Sequence, residues 1–430
     1  MTREPKRAPT SSAELSASLH DARARTLALL ADLDDEQWLG PELAIVNPPR
    51  WELGHVVWFQ EQWCLRRLRG RAPLWAEVDA LYDSAAVAHD TRWGLALLER
   101  ERTLAYAREV LAEVARGLAH GSELTSDETY FHSLVLYHED MHGEAFAYTR
   151  QTHGYAPPPC SAPHVPGGGP FPGDVEVPGG TWWLGARPGG GFVFDNEQWA
   201  HAVELLPFRI ARAPVTQDEY RVFVEDGGYE RRALWSAEGW VWRSTAQAHD
   251  LVRWPVYWRR EQGGGWSRRR YDRWVPLEPH LPVHFVNAHE AEAFCRWAGR
   301  RLPSEAEWEC AAGPARYPWG DQAPSAAHAE LDLRADEPCE VGAHAAGDSP
   351  HGLRQMLGNV WEWTATPFGP YPGFRPGPYA EYSAPWFGNH RVLRGGAFAT
   401  RARLMRNTWR NFYTPDRRDV LAGFRTCALV

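Results

Sequence analysis

The chain has 430 residues and a formal net charge of −9, a length that exceeds one ordinary core and predicts two domains. The acidic balance gives no electrostatic reason to expect nucleic acid or an anionic membrane as partner, and no apolar run reaches bilayer-spanning length. Six cysteines are scattered without a CxxC pair; this is not a disulfide framework, and a reducing cytosol is the simplest compartment.

Residues 1–11 lack the hydrophobic core of a secretory signal and read as a disordered tail. Residues 12–154 read as an up-and-down helical bundle. Helix one is expected over 12–32, with Leu15, Leu19, Ala22, Thr26, Leu29 and Leu33 on one face. Helix two follows Pro48-Pro49, where a missing N–H costs nothing, and runs to about Gly70. Helix three is expected over 92–119. Helix four starts at the capping cluster Ser126-Asp127-Glu128 and stops before Gly154. The connection 71–91 is long for a bundle and is expected to cover a site.

Helix four carries Leu136-Tyr-His138-Glu-Asp-Met-His142-Gly-Glu144. His138 and His142 stand at i and i+4, so both imidazoles leave one helix face and can reach one ion. Phe131, Leu134, Val135, Ala145, Phe146 and Thr149 continue that face, so the pair points inward. Alone, a buried histidine pair is more often a hydrogen-bonded core feature. His55 changes the reading. In Trp51-Glu-Leu-Gly-His55-Val-Val-Trp58-Phe59 it shares the inward side of helix two with Trp51, Trp58 and Phe59. Three neutral imidazoles with other positions open describe a catalytic metal site better than a closed structural one. Imidazole suits iron, zinc, copper or nickel, so the residues alone leave the metal open. Glu144 is off the shared face and is expected behind the ligands rather than on the ion.

A Pro/Gly-rich linker is expected over 155–174. From 175 to 430 the short apolar runs, the glycines and prolines, and many of the 23 tryptophans predict short strands and structured loops. Helices are expected over 216–225, 288–299 and 304–312. Most tryptophans are expected in packing; a minority can line a site for a cationic ligand.

Six ordered segments of this second half carry a resemblance. They are Pro214-Val-Thr-Gln-Asp-Glu-Tyr220, Pro282-Val-His-Phe-Val-Asn287, Arg301-Leu-Pro-Ser-Glu-Ala-Glu-Trp-Glu309, Gly358-Asn-Val-Trp-Glu-Trp363, Val392-Leu-Arg-Gly-Gly396 and Gly423-Phe-Arg425. Together they resemble the formylglycine-generating-enzyme (sulfatase-modifying factor) domain, a C-type-lectin-like fold. The two active-site cysteines of those enzymes correspond here to Thr400 and Met405. Their thiol chemistry is therefore missing, and the scaffold alone assigns no function. The first half resembles the DinB-like family. One class joins these domains in this order: the non-haem-iron sulfoxide synthases of ergothioneine and ovothiol biosynthesis, with the related selenoneine synthases. Their motif of one early histidine and a later HxxxHxE matches His55, His138, His142 and Glu144. The expected fold class is thus a DinB-like four-helix bundle followed by an α+β, C-type-lectin-like domain.

The resemblance implies Fe(II) held by the three histidines. It also implies hercynine (the Nα-trimethylated betaine of histidine), dioxygen, and a sulfur or selenium donor as substrates. Joining a chalcogen to an aromatic C–H carbon is a net oxidation, which zinc does not support. The trimethylammonium group needs aromatic faces or carboxylates. The family's cage draws on the C-terminal segment, here Trp409, Asn411, Phe412, Tyr413 and Asp419. Some relatives use a tyrosine of the second domain as proton donor, for which Tyr379 and Tyr382 are the candidates. Some ergothioneine relatives grip donor carboxylates with two arginines three apart, in the loop between helices two and three. Here that loop offers Arg92 and no second arginine at that spacing. A selenosugar is therefore the expected donor, with Asp83, Ser84, Asp90 and Arg92 as its candidate partners; the stretch leading to His55 is also most like the selenoneine branch. Three other readings stand beside it: coupling to γ-glutamylcysteine or cysteine, a zinc-dependent DinB-like thiol transferase, and a lectin-like binding module with a vestigial bundle. Oligomeric state is left open.

Overall fold

The computed structural model describes residues 11–119, 123–163, 167–245 and 252–429; the expected N-terminal tail lies outside these residues up to position 10. The chain divides into two units. One is Met1–Cys160 with Gly189–Phe192, and the other is Ser161–Pro188 with Val193–Val430.

The first unit is helical. Its elements are α1 (Ser12–Leu30), a short α2 (Asp35–Leu39), α3 (Pro49–Glu61), a short α4 (Val78–Tyr82), α5 (Arg100–Leu118) and α6 (Ser126–His153). α1 opens on a capping box: Ser11 Oγ accepts from Glu14 N at 3.2 Å, and Glu14 accepts from Ser11 N at 2.9 Å. α6 opens on the same device at Thr125 and Glu128 and stops at Gly154, whose φ of 72° only glycine adopts freely. One side chain ties the helices together. The buried Arg23 guanidinium on α1 donates to Glu139 of α6 at 2.7 and 3.1 Å, to the Ala107 carbonyl of α5 at 2.9 Å and to Gln60 of α3 at 3.1 Å. Phe192 packs on Tyr130 and Tyr137 of α6, with ring centroids 5.3 and 5.1 Å away, which is why its segment belongs to the bundle.

Three features depart from expectation. α3 continues as a π-helical turn, Gln62–Arg67, in which Arg66 Nε reaches back five residues to Glu61 Oε1 at 2.9 Å. Helix three begins at Arg100, not at 92, because residues 89–94 tighten into a 3₁₀ turn. The Leu97 carbonyl beyond it is committed to Arg50 Nη2 at 2.7 Å, so this backbone bonds a side chain instead of a helix. α2 and α4 are too short for a 3.6-residue period to show in sequence.

The second unit mixes small sheets and short helices. Strands β1 (Asp174–Val177), β4 (Phe208–Ala211), β13 (Cys427–Ala428) and β8 (Arg300–Arg301) form one sheet in the order β1-β4-β13-β8. Strands β11 (Asn411–Tyr413), β10 (Arg391–Arg394), β9 (Trp361–Pro367) and β12 (Ala422–Gly423) form a second, with β12 parallel to β9. β2 (Gly180–Leu184) and β3 (His201–Leu205) make a hairpin; β5 (Trp258–Arg260), β6 (Trp266–Arg270) and β7 (Arg273–Pro276) make a meander. The helices are α7 (Gln217–Glu225), α8 (Ala237–Thr245), α9 (Ala288–Trp297) and α10 (Glu305–Ala312). α7, α9 and α10 each start at a capping box, on Thr216, Asn287 and Ser304. α8 escaped the sequence reading because its glycine, tryptophans and β-branched residues are weak helix formers. Within the expected linker, Ala162 bridges to Ala335.

Four of the six sequence segments converge on one buried knot. Arg425 donates to Glu362 at 2.6 and 2.7 Å, Trp308 donates to the same carboxylate at 2.8 Å, and a Cβ on Gly423 would lie 2.1 Å from the Val283 carbonyl oxygen. Trp308, Trp361 and Trp363 are fully buried here. Among the described residues no helix is long and apolar enough to cross a membrane, and all six cysteines are free.

Candidate metal centre

His55 on α3 and His138 and His142 on α6 each offer one ring nitrogen, and these atoms lie within 4.8 Å of one another. Ring centroids are 5.1 Å apart for His55 and His138, 5.2 Å for His55 and His142, and 4.5 Å for His138 and His142. Two of the rings are aimed by bonds on the other nitrogen. His55 Nδ1 is 2.9 Å from the Tyr82 carbonyl oxygen, and His142 Nδ1 is 2.6 Å from Glu52 Oε1. Each Nδ1–H then donates, which leaves Nε2 as the lone-pair donor. Glu52 is buried and sits three residues before His55 on the same helix. α3 thus supplies one imidazole and the carboxylate that orients another.

Aromatic walls surround the histidines. His55 lies flat against Trp51, centroids 5.0 Å apart at 5°, and His138 lies flat against Phe59 at 3.7 Å and 10°. Burial, with the charge of His142 next, pushes the His55 pKa down to about 3. Burial also holds His138 well below the usual histidine range, with His142 and His55 adding to it. Both rings are therefore neutral at ordinary pH, the form that binds a metal. Borderline nitrogen donors, neutral and with tautomers fixed, fit a divalent first-row cation such as Fe(II).

The backbone next to His55 has its own requirement. Gly54 faces the Tyr82 ring so closely that a Cβ would lie 2.1 Å from Tyr82 Cε1. Its bare backbone lets Tyr82 pack where its carbonyl reaches His55. Sequence reasoning missed Glu52, Gly54 and Tyr82. The available signals were an acid three residues before an inward histidine and a glycine inside a helix.

The other bundle candidates are dispersed. Glu144 is buried, while the carboxylate bonded to His142 is that of Glu52. Asp83 caps α4 and accepts from Ala85 N at 2.9 Å; Ser84 and Asp90 are exposed. Arg92, expected among the donor-binding groups, is instead turned inward. Its guanidinium sits 3.6 Å over the Trp51 ring and donates to Asn47 Oδ1 at 2.5 Å and to the Val87 carbonyl at 3.2 Å. Burial lowers its pKa to about 10, against the pull of Glu52.

The second unit holds the remaining candidates. Trp409 is buried edge-to-face against Trp361 at 5.0 Å, and Phe412 stacks on Phe368 at 4.0 Å. Asn411 pairs with Leu393 in the sheet, and the Arg417 cation lies 5.3 Å from the Tyr413 ring. Asp419, expected to face an ammonium group, is buried and takes two bonds from Arg417 at 2.6 Å each, so its charge is matched within the chain. Tyr382 stacks on Phe194 at 4.4 Å, with Tyr379 6.0 Å from it. Burial pushes the Tyr382 phenol above its usual range. The buried Ser383 beside it donates to Asp195 and accepts from Asn196 Nδ2 at 3.0 Å, which pins the tyrosine-bearing loop. Thr400 and Met405 are both buried. The Thr400 hydroxyl accepts from Ala397 N at 2.8 Å, and the Met405 sulfur fills the space a Gly396 Cβ would occupy.

Residues 163–429 match the sulfatase-modifying factor enzyme 1-like domain, and residues 18–146 match the DinB superfamily. The chain is 39% identical over 434 residues to a hercynine oxygenase of Mycolicibacterium thermoresistibile, covering 96% of this chain and 94% of that one. It is 38% identical over 425 residues to the hercynine oxygenase of Mycolicibacterium smegmatis, covering 94% and 96%. It is also 31% identical over 280 residues to a formylglycine-generating enzyme of Streptomyces coelicolor, a match that covers 60% of this chain and 88% of that protein. Two domains in one order, with near-complete coverage of both sequences, leave one conclusion: the chain belongs to the hercynine oxygenase family.

Proposed function

We propose that this protein is an O2-dependent, non-haem Fe(II) enzyme that joins a selenosugar to the imidazole carbon of hercynine, a step of selenoneine synthesis. The observation that carries the iron reading is the cluster of three imidazoles, two of them tied back through Nδ1. Fe(II), when bound there, supplies the redox chemistry with dioxygen that zinc lacks. The chain's own residues supply position. Glu52 and Tyr82 fix the tautomers of His142 and His55, and Trp51 and Phe59 keep the rings flat and dry. The reaction balances. The C–H of hercynine and the Se–H of the donor give up their hydrogens as one water, the second oxygen atom ends on selenium, and dioxygen takes up four electrons. Tyr379 and Tyr382 are the proton-donor candidates; burial keeps the Tyr382 hydroxyl protonated and able to donate. Trp409, Asn411, Phe412, Tyr413 and Asp419 are the candidates for the trimethylammonium group, with the Asp419 charge already matched by Arg417.

The selenosugar is supported by the state of two arginines in the connection between α3 and α5, Arg71 and Arg92. Arg71 pairs with Glu113 at 2.7 Å, and Arg92 is held by Asn47, Val87 and Trp51. Arg92 is committed within the chain and Arg71 stands in a surface pair, so no two arginines three apart face an amino-acid carboxylate here, while Asp83, Ser84 and Asp90 suit hydroxyls. The runner-up, C–S coupling to γ-glutamylcysteine or cysteine, differs only in the donor. The test is anaerobic loading with Fe(II), then hercynine, selenoglucose, γ-glutamylcysteine and cysteine together, then oxygen, with products read by mass. A dominant selenium product supports the proposal, and faster coupling of either thiol gives the runner-up. Stoichiometric zinc with no oxygen uptake would mean the thiol transferase instead.

A further inference from the structure

Glu330, Cys339 and His344, in the second unit, each offer one donor atom within 4.8 Å of the others. All three belong to the connection between α10 and β9, residues 313–360, every residue of which is described. Its one helix or strand is the 3₁₀ turn Ala345–Gly347. Such a stretch has few ladder hydrogen bonds to hold it. Five of its non-glycine residues, Asp332, Leu333, His344, Gln355 and Asn359, take φ angles between 50° and 68°. Left-handed backbone costs a residue with a Cβ on the order of 1 kcal/mol, and it persists where surroundings compensate.

His344 is one of the five, and its Nε2 lies 3.6 Å from Glu330 Oε2. Cys339 is buried and rigidly held. Asn359 accepts from its N–H at 2.8 Å and donates to its carbonyl at 3.1 Å, while Gln355 Nε2 points at its sulfur from 3.4 Å. Glu330 Oε1 is buried with no hydrogen-bond partner; Arg334 Nε, at 3.7 Å, is beyond bonding reach. An unsatisfied buried carboxylate oxygen is costly and calls for a proton or a cation. One sulfur, one nitrogen and one carboxylate oxygen form a set that hard cations, which need six or more oxygens, do not favour. It is a set that zinc does favour.

We propose that Glu330, Cys339 and His344 bind a zinc-class divalent cation, with water as fourth ligand, as a structural clasp on this connection and apart from the three-histidine centre. Binding releases the Cys339 thiol proton to solvent and changes no oxidation state. The nearby Arg334 charge offsets part of the gain.

Cobalt(II) tests this with a readout the three-histidine centre cannot give, since only thiolate ligation produces a sulfur-to-cobalt charge-transfer band in the near ultraviolet. Full-length protein stripped by chelator and titrated with Co(II) should show the band and bind two equivalents. Cys339→Ser and His344→Ala should each lose the band and one equivalent, while Cys160→Ser and Cys310→Ser keep both. His344→Ala, at a partly exposed position, keeps the test available should Cys339→Ser not fold. No band in the parent protein, or a band that survives either Cys339→Ser or His344→Ala at full strength, would overturn the proposal.

Discussion

Oε1 of Glu52 lies 2.6 Å from Nδ1 of His142, across 90 residues of sequence. A carboxylate on the far nitrogen of a metal-binding histidine fixes the ring and raises its basicity. Glu52→Gln is expected to weaken Fe(II) binding by about 10–100-fold, with Glu52→Asp intermediate. Anaerobic Fe(II) titration measures it, and unchanged affinity in Glu52→Gln would leave this contact without a role in orienting His142.

His55→Ala, His138→Ala and His142→Ala should each lose most bound iron and all turnover, because a three-ligand site has none to spare. Metal content of the purified variants is the measurement. Full occupancy in any one of them removes that histidine from the site.

Gly54→Ala introduces a methyl where the Tyr82 ring already sits. Overpacking of this kind costs about 1–3 kcal/mol, and moving Tyr82 also moves the carbonyl that holds His55. The denaturant midpoint and the Fe(II) affinity should fall together. A drop in stability with normal iron binding would show that the Tyr82 backbone stays put.

Arg92→Lys separates two roles for one guanidinium. Lysine cannot keep both the bond to Asn47 and the flat contact with Trp51, so a stability loss of about 1–3 kcal/mol is expected. A group that gripped the donor would instead raise KM for the selenosugar or thiol donor at unchanged stability. Chemical denaturation beside donor kinetics tells the two apart.

His284 gives an acid limb to stability. Burial first, then the Arg268 charge, pushes its pKa down to about 3 from the usual 6.5. The unfolded chain therefore binds the extra proton over that interval. The contribution is complete above pH 6.5, shrinks as pH falls and levels off near 3, at roughly 1.4 kcal/mol per pKa unit. His284→Asn should flatten this slope in urea midpoints measured against pH; an identical slope in the variant would assign the limb to other groups.

What the sequence made legible followed from periodicity. His138 and His142 announced themselves because four residues make one helical turn; the helices over 216–225, 288–299 and 304–312 stood out as well, and the structure opens each on a local capping box. What it hid acts across distance. Glu52 meets His142 only once α3 and α6 pack, and Ser383 meets Asp195 across 188 residues. Arg92 reads as a free cation in a polar loop; only the fold shows it laid over Trp51. The start of helix three was misjudged for the same reason, since the partner that takes up the Leu97 carbonyl is Arg50, 47 residues earlier.

The π-helical turn after Glu61 marks a change of phase within one continuous helix. Such a turn holds one more residue than an α turn and takes it up locally, around the buried pair Cys64 and Leu65, so His55 upstream keeps its own face. Deleting one residue within 62–67 would restore the regular α period, and because the wide turn already absorbs that residue, both His55 and the helix beyond would keep their faces. This helix therefore contains a natural splice point, at which one residue can be taken out with the ligand and the lining of the bundle both left where they are.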